Sequence, residues 1–436
     1  MVARAISVPV MDVPGSVSRS LLSRLGPKFD SRAVQFFADY SKSHDNLYAE
    51  AIFAYICLTS CSLSYSCYSI VDVDGNKFLG VYAQIASNAV GYNNPIVLEA
   101  SRSNEMITAL ANRRCLGVYP GKSLADNIDR LMRIAPAGHS MPSKLHSFYH
   151  QLKKRGESST PWTTEELESC LQNAEPGSPS LSILSFKNSF HGRGFGSLST
   201  TRSKAIHELD VPAFDWPVAE FSELKYPLAE KKEGNDKEVK RCLAEVDRIM
   251  TSRRSPVSAI IVEPIQSEGG DNHAPPSFFQ GLQDITKKHD ALLIADEVQT
   301  GFGATGKFWA HEDWNLREPV DIVTFGKKVQ IAGYFFVSTL INPNKAYRQF
   351  NTWMGDEAQL IICNAIIDEI LQKQLLTKIS KVGNALYASL KTLSEKHPQR
   401  IRNLRGEGCG TYILFDTDGA MALCGKMKLL GVIHPP

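Results

Sequence analysis

The chain has 436 residues, 43% apolar and 22% charged, which is the composition of a soluble globular protein long enough to bury one large core or two packed ones. Its net charge of +2 gives no sign of a nucleic-acid or membrane-surface protein. Nine scattered cysteines without a CxxC pair argue for free thiols in a reducing compartment and against a structural zinc site.

At the N-terminus Arg4, Arg19 and Arg24 face a single acid, Asp12, before Asp30. That bias fits a mitochondrial transit segment or a disordered arm, so mitochondrial matrix and cytoplasm both stay open. The stretch from Ala51 to Val71, "AIFAYICLTSCSLSYSCYSIV", is uncharged and long enough for a bilayer. Its many Ser and Tyr residues make it a poor span, and no membrane segment is expected.

The middle of the chain alternates strands and helices. "SILSF" (Ser182 to Phe186) is a short apolar strand, and "VSAIIVE" (Val257 to Glu263) is a second. Before the second runs a helical pattern of Val239, Leu243, Val246 and Met250; residues 229–240 ahead of it read as a solvated charged stretch. Pro275 and Pro276 open a helix with Phe278, Phe279, Leu282 and Ile285 on one face and Lys287 and Lys288 in its last turn, where cations suit the dipole. "ALLIAD" (Ala291 to Asp296) and "DIVTF" (Asp321 to Phe325) follow as strands. Continuous apolar runs separated by amphipathic helices predict an α/β fold with a mostly parallel sheet covered on both faces. Beyond Asn342 the texture changes to a long helical pattern (Leu360 to Leu371) and one strand, "GTYILFDT" (Gly410 to Thr417). The expected organisation is an N-terminal arm with an irregular inserted segment (1–70), a large domain (71–335) and a smaller α+β domain (336–436).

In such sheets ligands bind beyond the carboxyl ends of the strands. Glu263, Asp296, Glu297, Gln299, Lys327, His191 and Arg193 all fall on that edge by topology alone. The pair Lys327–Lys328 stands between an apolar strand and Val329. A buried ammonium is costly unless it is paired or loses its proton, and a neutral lysine is a nucleophile for carbonyl carbon. A reactive lysine beside a carboxylate at the end of the neighbouring strand suits pyridoxal 5'-phosphate, whose ring nitrogen the carboxylate keeps protonated. The glycines of "HGRGFGS" suggest dinucleotide binding instead, but Gly196 falls one position early for that fingerprint. Pro212 and Pro217 also stand where its second strand should run.

"LLIADEVQTGFGATGKFWAHE" followed by "DIVTFGKK" resembles the signature of class III aminotransferases of fold type I. "IIVEPIQSEGGDNHA", "SFHGRGFGSLSTTRSKAIHELDVPAFDWP" and "YRQFNTWMGD" extend the resemblance, which covers about residues 70–138 and 161–416. The resemblance implies a fold type I transferase that uses pyridoxal 5'-phosphate. It implies transfer of the amino group of 4-aminobutyrate to 2-oxoglutarate, giving succinate semialdehyde and glutamate; ornithine-like omega-amino acids are the alternative donors. It implies Lys327 as the Schiff-base lysine, Asp296 on the pyridine nitrogen, Gln299 near the phenolic oxygen and Phe190 stacked on the ring. Arg193 matches an arginine for the substrate's distal carboxylate, and a planar guanidinium suits that role. Glu268 matches a glutamate that pairs with a second arginine, and Ile85 an apolar wall of the substrate pocket. Thr352 matches a residue reaching the cofactor phosphate of the neighbouring subunit, which implies a homodimer with shared sites.

The chain departs from the family pattern in three places. After "RIAPAGHS" the family's Gly-Ser phosphate turn is missing, with only Gly138 and Ser140 nearby. After "GVIHPP" the family continues with a strand carrying the second arginine, so Glu268 is expected to lack its partner and the small domain to be incomplete, with an unpaired sheet edge. Residues 46–69 look like translated non-coding sequence. A splice variant or an imperfect gene model would account for all three, and a non-catalytic variant that keeps the fold is the remaining alternative.

Overall fold

The computed structural model describes residues 12–26, 30–43, 69–80, 83–113, 116, 118–140, 161–337, 355–429, 432 and 433. Thr352, most of the uncharged stretch and the segment after Ser140 lie outside these residues.

The strands form where apolar runs are continuous. In chain order they are β1 (Ser69–Val71), β2 (Lys77–Gly80), β3 (His139–Ser140), β4 (Ser182–Phe186), β5 (Val218–Ala219), β6 (Val257–Val262), β7 (Ile265–Gln266), β8 (Asn272–His273), β9 (Leu292–Asp296), β10 (Ile322–Phe325), β11 (Gly333–Val337), β12 (Arg402–Arg405), β13 (Leu414–Asp416) and β14 (Val432–Ile433). Seven of them make the central sheet, in the order β3-β11-β10-β9-β6-β4-β5. The five strands from β10 to β5 are parallel; β11 and β3 add antiparallel pairings at one edge. β11 runs through Val337 and so crosses the boundary expected at 335.

Alternate residues of each strand serve opposite faces. Leu184, Phe186, Ile260, Val262, Leu293, Ala295, Val323 and Phe325 join the main core with Val239, Cys242, Val246, Phe278, Phe279 and Leu282 from the helices Lys232–Ser252 and Pro276–Lys288. Ile183, Ala259, Leu292, Ile294, Ile322 and Phe336 make a second cluster from the opposite set. Each fully buried Phe or Leu contributes about 1.5–3 kcal/mol, so the sheet and its helices carry most of the apolar stabilisation. The helix Glu357–Gln372, capped by the Asp356 side chain on Ala358 N (2.9 Å), sends Leu360, Cys363, Ile366, Ile367 and Ile370 into the same main core.

One expectation changes and one gains detail. The charged stretch of 229–240 is mostly exposed, as expected, and from Lys232 it is the start of a 21-residue helix. Lys232–Asp236 and Lys237–Glu233 pairs at i,i+4 support it on the solvent side while Asn235 and Val239 are buried. The strand expected from Gly410 to Thr417 is only Leu414–Asp416. Its front half is taken by a close approach: Thr411 N and Oγ1 both donate to the Ala304 carbonyl at 2.9 Å. Gly410 has φ +57°, and a Cβ there would lie 2.6 Å from that same carbonyl oxygen. Gly410→Ala is therefore expected to destabilise the chain by about 2 kcal/mol, read as a lower midpoint in urea with unchanged slope.

β14 pairs in parallel with β2, giving a small sheet of order β1-β2-β14 over Ile70, Phe78, Leu79 and Tyr92.

Candidate active site

The ends of β9 and β10 build the centre of the site. Thr324 lies opposite Asp296 in the parallel ladder, and its Oγ1 donates to Asp296 Oδ1 at 2.9 Å. Val298 N donates to the same oxygen at 3.1 Å, and His191 Nδ1 lies 2.6 Å from Oδ2. Burial would raise the Asp296 carboxyl, but the His191 contact and these hydrogen bonds outweigh it and hold the group below its ordinary range. Asp296 is therefore an ionised carboxylate in a dry place. Oδ2 accepts one hydrogen bond and keeps capacity for another.

β10 ends at Phe325, Gly326 is extended, and Lys327 takes φ +53° at the start of a tight turn, Lys327–Val329. That conformation turns the Lys327 side chain toward β9, where Nζ donates to Gln299 Oε1. Burial lowers the proton affinity of Lys327, against the pull of Asp296, Glu263 and Glu268. Lys328 is more deeply buried, 7% exposed, and burial together with the Lys327 charge pushes its amine down to about 7. Lys328 Nζ donates to the Gln299 carbonyl oxygen, and Tyr412 Oη donates to that oxygen as well, at 3.0 Å. Glu263, just past the end of β6, accepts from Phe190 N at 2.8 Å; burial and then Asp296 raise its carboxyl well above the ordinary range.

The rim holds the remaining residues. Phe190 contacts the His207 ring edge-on at 5.3 Å. Arg193 is exposed. Glu268 pairs with Lys204 at 2.7 Å, a lysine rather than the arginine of the family pattern. Ile85 is 52% exposed on the turn Ala83–Ala86, whose four residues all have φ between +47° and +58°. Ser140 belongs to the edge strand β3, opposite Phe336, and Gly138 lies just before that strand, exposed in a turn with φ +80°. Thus Lys327, Asp296 and Gln299 converge, Phe190, Arg193 and Glu268 border them, and Ile85 stands exposed. His191, Thr324, Lys204 and Tyr412 are contacts that the sequence reading assigned no role. For Thr324 the signal is strand register; for the others it is proximity across long separations.

A deprotonatable amine beside an ionised, buried carboxylate, at the carboxyl edge of a mostly parallel sheet, is the equipment of a protein that condenses an amine with a carbonyl compound and needs a fixed negative charge opposite a cationic ring. The comparisons agree. The aminotransferase class-III family model matches residues 64–435, and the chain belongs to that family. The chain is similar to the 4-aminobutyrate aminotransferase of Emericella nidulans, 46% identical over 96% of this chain and 83% of the relative. It is similar also to that of Dictyostelium discoideum (47% identical, 96% and 83%), and to a mitochondrial one from Sus scrofa (40% identical, 93% and 79%). Among solved structures, the lysine aminotransferase of M. tuberculosis superposes with a TM-score of 0.75 over 96% of this chain and 92% of that one, at 23% identity, a likeness of fold. Among the described residues no helix is long and apolar enough to cross a membrane.

Proposed function

We propose that this chain transfers the amino group of 4-aminobutyrate to 2-oxoglutarate with pyridoxal 5'-phosphate as cofactor, and works as a homodimer with shared sites. The observation that carries the reading is the Lys327–Gln299 contact beside the ionised Asp296, under a rim that bears Arg193 and the Lys204–Glu268 pair. The residues fit the cofactor's ring: Asp296 Oδ2 has acceptor capacity left for a ring N–H, and Lys327 is within reach of the same edge. When bound, the cofactor supplies an aldehyde for the amine and a protonated ring that accepts electrons from the adjoining carbon. Lys327 Nζ, with its proton affinity lowered by burial, is the base that removes the proton from the substrate carbon and returns it. Gln299 Oε1 orients Nζ between those transfers. Asp296, kept ionised by His191, Thr324 and Val298 N, would hold the ring nitrogen in its protonated form. Phe190, fixed through its main chain to Glu263, would border the ring.

Arg193 and Lys204 are the described rim cations that a carboxylate at the far end of the substrate would meet, Lys204 beside its pair with Glu268. The test is a donor panel of 4-aminobutyrate, ornithine and lysine with 2-oxoglutarate as acceptor, on the full chain with added pyridoxal phosphate. Turnover is expected with 4-aminobutyrate first. Arg193→Gln is expected to raise KM for 4-aminobutyrate about 10- to 100-fold through loss of one charged hydrogen-bonding pair. Preference for ornithine, or absence of turnover and of cofactor absorbance, overturns the reading.

A further inference from the structure

Gln299 carries two separate attachments. Its side-chain oxygen accepts from Lys327, and its main-chain oxygen accepts from Lys328 and from Tyr412. The residue lies three positions beyond β9, in a turn whose other end is anchored at Glu297: Gly301 N donates to the Glu297 carbonyl at 2.8 Å, and His311 N donates to the Glu297 carboxylate at 2.7 Å. The anchors on Gln299 itself therefore come from outside the turn.

Tyr412 comes from far along the chain, and its position is tightly set. Gly410 packs on the Ala304 carbonyl with φ +57°, Thr411 donates twice to that carbonyl, and Tyr412 N donates to the Cys409 carbonyl at 3.0 Å. The Tyr412 hydroxyl accepts from Ser267 Oγ at 3.4 Å while donating to Gln299. Ser267 is the neighbour of Glu268, which pairs with Lys204 on the rim. One hydroxyl thus joins the C-terminal segment, the rim and the residue that holds the reactive amine.

We propose that Tyr412 is a positioning residue for Lys327: by holding the Gln299 carbonyl it keeps the Gln299 amide oxygen on Nζ, and so couples the seating of the 406–412 segment to the state of the reacting amine. The inference rests on Lys327 being that amine. The physical basis is simple. A hydrogen bond accepted by a neutral amide favours the charged form of the lysine, and a turn held at one end only lets that acceptor swing away. Loosening Gln299 leaves burial to act on Lys327 without that opposing contact.

The test reads the lysine directly. The full chain, freed of any bound aldehyde by dialysis against hydroxylamine, is labelled with trace acetic anhydride in competition with a reference amine, and acetylation at residue 327 is measured by peptide mass spectrometry as a function of pH. Tyr412→Phe keeps the ring and removes only the hydroxyl. It is expected to raise labelling of Lys327 near neutral pH about threefold, the effect of losing part of a hydrogen bond to a charged group. Gln299→Ala is expected to raise it at least as much, and the double variant to match Gln299→Ala alone, because both act through one contact. With added pyridoxal phosphate, Tyr412→Phe is expected to lower kcat with little change in KM for 4-aminobutyrate. Unchanged labelling in Tyr412→Phe, or two effects that multiply in the double variant, overturns the proposal and leaves Tyr412 a structural contact only. Labelling that follows the expected cycle in a chain without transaminase turnover supports the coupling and overturns the functional reading instead.

Discussion

Lys327→Ala is expected to reduce transamination of 4-aminobutyrate by at least about 10⁴-fold, since the substitution removes both the nucleophile and the base from one position. The backbone gives no competing explanation. Lys327 already has φ +53°, a conformation that costs any residue with a Cβ, so alanine there is strained no more than lysine. Alanine gives up the hydrogen bond to Gln299 and also removes a partly buried amine, two changes of opposite sign. Unfolding midpoints of the variant and the parent chain should therefore agree closely. Lys328 makes the experiment sharp. It is the adjacent residue, it is buried, and burial lowers its proton affinity too, so chemistry alone does not choose between the two lysines. Geometry does: Lys328 Nζ is turned to a main-chain oxygen, whereas Lys327 Nζ meets a side-chain amide at the edge shared with Asp296. Pyridoxal phosphate followed by borohydride should place the reduced adduct on residue 327 in the parent chain and on neither lysine in Lys327→Ala. An adduct on Lys328 in the parent chain would reverse the assignment.

The part of the fold legible in the amino-acid order is the part that burial writes there. β4, β6, β9 and β10 are unbroken apolar runs because both faces of a parallel strand are covered, and their ends brought Glu263, Asp296 and Lys327 to one edge before any distance was known. The pairing of Thr324 with Asp296 depends on register between strands, and no periodicity reports that. His191 meets Asp296 across 105 residues, and Lys204 meets Glu268 across 64, so neither contact leaves a local mark. The charged start of the helix Lys232–Ser252 reads correctly as solvated but not as helix, because its apolar stripe begins only at Val239 and ion pairs at i,i+4 support the first turns. The front half of the strand expected at Gly410 fails because glycine there answers to a neighbouring carbonyl, a tertiary constraint that reads in sequence as mere permissiveness. Conversely, the resemblance carried Glu268 to a second arginine, and the structure gives it Lys204.

Lys328→Met is expected to make the folded chain more stable at low pH and to change it little at high pH. In the unfolded chain a lysine titrates near 10.4. In the folded chain burial brings Lys328 down to about 7. Between those two values the unfolded chain binds a proton that the folded chain does not, so unfolding free energy rises with pH across that window and the burden of Lys328 is full below about 7. The corresponding free energy is about 5 kcal/mol at its largest. Methionine occupies a similar volume without the charge, and it gives up one donor to the Gln299 carbonyl, a loss of about 1 kcal/mol that is softened because Tyr412 still donates there. The net expectation is a gain of about 4 kcal/mol near pH 6 that shrinks through pH 7 to 10 and ends at or slightly below zero. Urea unfolding of both chains at several pH values measures it directly. The charge of Lys327 is the second cause, after burial, that lowers the proton affinity of Lys328, so the titration also reports on the neighbouring amine. A stability difference that stays constant with pH would mean that Lys328 does not change charge on folding, and would overturn the reading of Lys328 as an amine whose proton affinity burial lowers.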